Sequence, residues 1–349
     1  MLDEIREQPG ALERTLAIEV RRMRNFKRLL EQKRPRLVVL VARGTSDNAA
    51  LFGRYLLEIT TGIPVSLAAP SITTLYEADL DYRDTLVVAI SQSGESTDTN
   101  MVLERAKERG ALTMGITNER ASTLASLAEH AFLVRAGKER SVAATKTYTG
   151  QVLILYLLAY ALGGAVRVED LERLPELAAD ALRLEPQVAA LSERYRYMRQ
   201  AVVVGRGMSY ANAFEFSLKL METCYVVAER FSAADLMHGP IAMVEHAFPV
   251  FVFAPSGVTW PSIAEVLDRV KELKAEALVI TDESNAHASD KAARLIQLPV
   301  RTASGDGPED LYTPIPYIVP AQLFAAHLAW IKGLNPDRPR ALHKITLTM

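Results

Sequence analysis

The chain has 349 residues, 49% of them hydrophobic, with 40 Lys and Arg against 42 Asp and Glu for a net charge of −2. At roughly 100 to 200 residues per domain this suggests two domains, each with room for a core, and the balanced charge without a basic block argues against nucleic acid or an anionic membrane as partner. The single Cys224 excludes an intramolecular disulfide and a Cys-based zinc site, and with no signal-like segment after Met1 the expected setting is a reducing cytoplasm.

Residues 2–31 read as a helix, because Leu12, Leu16, Val20, Met23 and Phe26 recur at helical spacing among charges, and Pro35 stops the pattern. Leu37–Val41 is an unbroken apolar run, as expected of a strand buried on both faces of a parallel sheet. Further runs at Leu86–Ile90, Leu112–Ile116 and Phe132–Val134 alternate with helical stretches near 47–59, 97–109, 120–128 and 145–162. That rhythm is the strand-helix-strand order of an α/β domain. The longest apolar run, around Val152–Ala161, is too short to span a bilayer.

Internal similarity decides the architecture. Val39–Ser46 aligns with Val202–Ser209, 163 residues further on, and both end in Arg-Gly-x-Ser. The same offset carries Leu86–Ser91 onto Pro249–Ala254, while Leu112–Thr117 falls near Ala277–Thr281, and the apolar helix after Lys146 has a counterpart in Pro316–Lys332. The expected organisation is an N-terminal helical segment (1–31), one α/β unit (32–165), a helical linker with Pro175 and Pro186 (166–195), a second unit (196–335) and an extended tail (336–349).

In such sheets ligands bind beyond the carboxyl ends of the strands. Gly44-Thr45-Ser46 follows the first strand, and Ser91-Gln92-Ser93-Gly94-Glu95-Ser96-Thr97 follows Leu86–Ile90 and leads into a helix. Hydroxyls and free N–H groups at a helix N-terminus form an anion site without a cation, and phosphate is the natural guest. A third hydroxyl cluster, Ser141-Val142-Ala143-Ala144-Thr145-Lys146-Thr147, opens the next long helix. The second copy has Ala254-Pro255-Ser256-Gly257-Val258-Thr259-Trp260 at the loop position, having lost most hydroxyls, so one phosphate site per chain is expected.

The second copy carries other chemistry. Glu215, Lys219 and Glu222 stand at i, i+4 and i+7, within roughly 60° of one another on a helix, among Phe214, Phe216, Leu218, Leu220 and Met221. A charged stripe on an otherwise apolar helix faces a cleft or a partner. His238 lies in a loop punctuated by Gly239-Pro240, the setting of a proton carrier. The six histidines show no paired ligand spacing, so no metal is expected, and proton transfer by such side chains needs no cofactor. Lys344 stands near the end of the chain.

These motifs, with Glu4–Pro9 ahead of them, resemble in order those of the double sugar isomerase (SIS) domain family, whose members include glucosamine-6-phosphate synthase and stand-alone deaminases. The resemblance covers nearly the whole chain. It implies two tandem SIS domains, each a parallel sheet with helices on both faces. It also implies that Gly44, Thr45, Ser46, Ser91, Gln92, Ser93, Ser96, Val142 and Ala143 line the binding site for a hexose 6-phosphate. Catalysis would fall to Glu222, which moves a proton between carbons 1 and 2 with Lys219 beside it. His238 would open the ring from the neighbouring subunit of a homodimer, and Lys344 would meet the open-chain sugar. The synthases' glutaminase domain has no counterpart here, and Arg43 and Ala144, where synthases have Cys and Ser, are similar to the deaminases; Met237 replaces a Lys. The expected activity is therefore deamination of glucosamine 6-phosphate, with a glutaminase-free isomerase, a deglycase of another amino-sugar phosphate and a non-catalytic sugar-phosphate sensor as alternatives.

Overall fold

A computed structural model describes residues 1–299 and 308–342. Ten strands form two all-parallel sheets. The first contains β1 (Leu37–Val41), β2 (Val65–Leu67), β3 (Thr85–Ile90), β4 (Leu112–Thr117) and β5 (His130–Leu133) in the order β2-β1-β3-β4-β5. The second contains β6 (Gln200–Gly205), β7 (Val227–Ser232), β8 (Pro249–Phe253), β9 (Glu276–Asp282) and β10 (Arg294–Leu298), ordered β10-β9-β8-β6-β7. Read from the other edge, the second order is β7-β6-β8-β9-β10, so the two sheets share one topology, as the internal repeat requires. Every residue of β3 is buried, as an apolar run must be when helices cover both faces of its sheet.

The chain divides into two compact units. Gly10–Glu139 and Lys146–Glu172 carry the first sheet; Met1–Pro9, Arg140–Thr145 and Arg173–Leu342 carry the second. These differ from the boundaries expected from sequence. The expected N-terminal helix is two helices, Leu2–Arg6 and Gln8–Lys33, and the first nine residues belong with the second sheet. The expected linker is three short helices, Val168–Leu171, Leu174–Leu182 and Glu185–Ser192. Pro175 and Pro186 sit in first turns, where a missing N–H costs nothing. The last two of these helices pack on the helix Pro314–Ile331 and are part of the second unit.

Pro314–Ile331 is also long and apolar enough to cross a membrane, which the sequence reading passed over, but 83% of it is buried inside the protein. It packs against the helix Ser209–Cys224. Phe216 of that helix lies edge-on to Phe251 of β8 at 5.1 Å and to Phe324 at 5.8 Å between ring centroids. This aromatic contact fixes the helix that carries Glu215, Lys219 and Glu222 on its sheet.

The turn from β6 into that helix is tight. A Cβ on Gly205 would lie 2.3 Å from the carbonyl oxygen of Ser209 and 2.9 Å from Tyr210 Cα, both backbone atoms. The aligned residue of the first copy is Ala42, so the tight turn belongs to the second copy alone. Gly205→Ala should lower the unfolding free energy by about 3 kcal/mol, the upper end of overpacking costs, in urea titrations. An unchanged midpoint would mean that this turn opens freely.

Candidate functional site

In the first sheet the order in which strands are added reverses between β1 and β3, and segments following strands at such a switch point are where α/β sheets hold ligands. Gly44, at φ +58°, caps the helix Thr45–Thr61. After β3 the loop is held on several sides. Gly94 O accepts from Leu124 N–H at 2.9 Å and Asn100 Nδ2 at 3.1 Å, and Gln92 O accepts from Asn118 N–H at 3.1 Å. Gly94 has φ +69°, and a Cβ there would meet Ser122 Oγ at 2.2 Å, so both conformation and space demand glycine.

Several of the expected phosphate ligands use their side chains inside this unit, with Ser93 Oγ accepting from Glu95 N–H at 3.2 Å. Ser91 Oγ is buried and accepts from Gly94 N–H at 3.1 Å, and buried Ser46 Oγ accepts from Gln151 at 3.0 Å. Gln92, Ser93 and Ser96 remain half-exposed, as does Thr45. Ser96 precedes the helix Thr97–Glu108 but does not cap it with its side chain, which instead meets Thr99 Oγ1 at 3.0 Å. The loop thus shapes itself with its buried serine and presents its outer hydroxyls and amide at a helix N-terminus. Val142 and Ala143 belong to the other unit, where Val142 N–H donates to Asp337 O at 3.3 Å and Ala143 is buried.

One group was not assigned from sequence. The Arg43 guanidinium donates from Nε and Nη2 to Asp98 Oδ2, at 3.1 and 2.6 Å. Asp98 is the second residue of the helix Thr97–Glu108. The pair joins the end of β1 to the helix that follows the loop.

The corresponding loop of the second unit is filled by the protein itself. Fully buried Asp282, at the end of β9, accepts from Ser256 N–H at 3.2 Å, Ser256 Oγ at 3.0 Å, Ser284 N–H at 2.9 Å and Tyr317 Oη at 2.6 Å, and also from Ser284 Oγ. Burial, reinforced by the Asp282 charge, pushes the Tyr317 phenol well above its ordinary value, so it remains a donor. Ser256 aligns with Ser93 of the first copy. An internal carboxylate therefore uses the donors that an anionic ligand would need there.

On the helix Ser209–Cys224, Lys219 Nζ lies 2.7 Å from Glu222 Oε2 and 3.5 Å from Glu215 Oε1. Lys219 and Glu215 have no exposed side-chain surface, whereas Glu222 is 25% exposed. Glu222 is thus the member of the stripe that a substrate can reach, with an ammonium holding one of its oxygens. Cys224, two residues on, is no rival nucleophile: burial raises its thiol to about 11, and Sγ donates to Ala325 O at 3.1 Å. His238 ends the short helix Ala233–Met237 and is exposed, its N–H bonded to Ala234 O at 3.2 Å. Lys344 lies outside the described residues. Among the described residues no group of three or more His, Cys, Asp or Glu is placed to hold a metal ion.

The SIS domain family description matches residues 29–161 and 195–332. The chain is 37% identical to glutamine–fructose-6-phosphate aminotransferase (isomerizing) of Pyrococcus horikoshii, over 99% of its own length and 57% of that protein's, so it spans little more than half of that curated relative. Among solved structures, it is similar to the C-terminal domain of glucosamine-fructose-6-phosphate aminotransferase from Francisella tularensis, with 28% identity, a TM-score of 0.86, and 97% and 98% of the two chains covered. It shares its fold, at 22% identity and a TM-score of 0.74, with glucosamine-6-phosphate deaminase from Thermotoga maritima, over 99% of both chains.

The filled loop of the second unit can be tested by stability. Asp282→Ala strands the buried Tyr317 hydroxyl and the Ser256 N–H, each costing about 1 to 3 kcal/mol, so the unfolding free energy should fall by about 3 kcal/mol or more. A variant as stable as wild type in denaturant titrations would mean that Asp282 does not hold this loop.

Proposed function

The chain belongs to the SIS domain family, and from that premise we propose that it is a sugar-phosphate isomerase that deaminates, converting glucosamine 6-phosphate and water to fructose 6-phosphate and ammonia. The observation that carries this reading is the half-buried carboxylate of Glu222 fixed by the buried ammonium of Lys219. A positioned carboxylate with exposed surface is what moving a proton between adjacent carbons needs. The half-exposed hydroxyls at the Thr97 helix start supply a phosphate anchor in the first copy, while Asp282 takes that place in the second.

In this reading Gln92, Ser93, Ser96 and Thr45 hold the phosphate, with Ser91 shaping the loop. Ring opening exposes the aldehyde; His238, supplied by the partner subunit of a cytoplasmic homodimer, carries that proton. Glu222 then takes the proton from carbon 2 and returns one to carbon 1 through an enolamine, and water hydrolyses the resulting ketimine to ketose and ammonia. Lys344 meets the open chain. The similarity to aminotransferase isomerase regions favours a second reading, amination of fructose 6-phosphate with ammonia, in which Glu222 runs the same transfer in reverse.

Incubation with glucosamine 6-phosphate should release ammonia and fructose 6-phosphate in equal amounts. Binding of the sugar phosphate without turnover would leave a sensor instead of an enzyme. Glu222→Gln keeps size and polarity but cannot accept a proton, so kcat should fall about 10² to 10⁴-fold. Near-normal turnover by the folded variant would reduce Glu222 to an ion-pair partner of Lys219. Ser93→Ala should raise KM about tenfold or more with kcat near wild type, since one hydrogen bond to a charged group is worth about 1.5 to 3 kcal/mol; an unchanged KM removes Ser93 from the phosphate site.

A further inference from the structure

Both copies of the repeat place an arginine just after their first strand, Arg43 after β1 and Arg206 after β6, yet the two are used differently. Arg206 Nη1 donates to Ser232 Oγ at 2.9 Å, within its own sheet. Arg43 instead donates twice to Asp98 Oδ2. The residue of the second copy that aligns with Asp98 is Pro261, so the ion pair exists only in the copy that keeps the hydroxyl loop. An arginine needed only to finish the strand would serve both copies alike.

The pair is asymmetric. The Asp98 side chain is 3% exposed and that of Arg43 49%. A buried carboxylate in the first turn of the Thr97 helix therefore fixes a guanidinium whose outer part faces water beside the loop. A phosphate monoester brings up to two negative charges to that place. The loop Ser91–Thr97 offers hydroxyls, an amide and backbone N–H groups, but its one charged side chain is an anion, Glu95. That carboxylate is occupied by the N–H and hydroxyl of Thr123, at 2.9 and 2.7 Å.

We propose that Arg43 is a further binding residue of the phosphate site, donating from the outer edge of its guanidinium to the phosphoryl oxygens of a hexose 6-phosphate. Asp98 is its positioning residue. The inference rests on the loop being the phosphate site, as proposed above. The planar fork of a guanidinium suits this task, because it can bond a carboxylate on one edge and a phosphate on another while keeping its charge at every working pH.

The test is titration calorimetry with fructose 6-phosphate and, separately, with inorganic phosphate. Arg43→Met alone strands a buried carboxylate, so the decisive protein is the double variant Arg43→Met with Asp98→Asn, which removes the stranded charge. It should bind both ligands about tenfold or more weakly than wild type, with a shallower dependence on salt and a melting temperature near wild type. Should that variant fail to fold, Arg43→Lys keeps a cation for Asp98 but loses the fork, and its affinity should fall several-fold. Wild-type affinity in the double variant, or in Arg43→Lys where the double variant does not fold, overturns the proposal. Ser93→Ala in the same titrations separates the two claims. If it binds weakly while the Arg43 variants bind normally, only the role of Arg43 falls. If it too binds as wild type, or if the wild-type protein takes up neither ligand, the loop itself is no phosphate site and the proposal falls with it.

Discussion

The buried ammonium of Lys219 is the constraint around which the second unit is organised. A charge with no exposed surface costs several kcal/mol unless it is paired and hydrogen-bonded, and here carboxylates one helical turn away on either side answer it. Helical spacing puts all three on one stripe, and the aromatic contacts of Phe216, about a quarter turn round the helix, hold it against Phe251 of the sheet and Phe324. The consequence is chemical as well as structural. Glu215 is sealed in, while Glu222 keeps a quarter of its side-chain surface, so the same compensation that makes Lys219 tolerable delivers one oriented carboxylate to solvent.

Two copies of one fold have met the same loop problem in opposite ways. Donors gathered after the third strand of an SIS unit call for an anion. In the first unit the backbone is pinned through Gly94 and Gln92 and the outer hydroxyls remain half-exposed. In the second, Asp282 supplies the anion from within and is clamped by Tyr317 from the core helix Pro314–Ile331. Loss of hydroxyls between Ser91–Thr97 and Ala254–Trp260 is thus accompanied by a carboxylate gained on the neighbouring strand.

Much of this was legible in the sequence because buried parallel strands are continuous apolar runs, and β1, β3, β4, β6 and β8 all read as such. The short edge strand β2, Val65-Ser66-Leu67, and β7, which carries Glu229 and Arg230, were missed, since an edge position tolerates polar residues and gives no run to see. The Glu215–Lys219–Glu222 stripe was visible from spacing alone, but which carboxylate stays exposed was not, because that depends on packing. The pairing of Arg43 with Asp98 and the closure of Asp282 onto Ser256 join residues 55 and 26 positions apart, and no local pattern records such contacts. Ser141–Thr147 reads as the opening of the next helix, yet Arg140–Thr145 belong with the second sheet, where buried Glu4 accepts from Ser141 N–H at 3.2 Å.

Proton transfer by Glu222 is the central claim, and solvent isotope reports on it directly. In deuterium oxide, the wild-type protein acting on glucosamine 6-phosphate should introduce deuterium at carbon 1 of the fructose 6-phosphate formed, followed by nuclear magnetic resonance, and Glu222→Gln should introduce it about 100-fold more slowly or less while still binding the sugar phosphate. Deuterium entering carbon 1 at the wild-type rate in that variant would contradict the account.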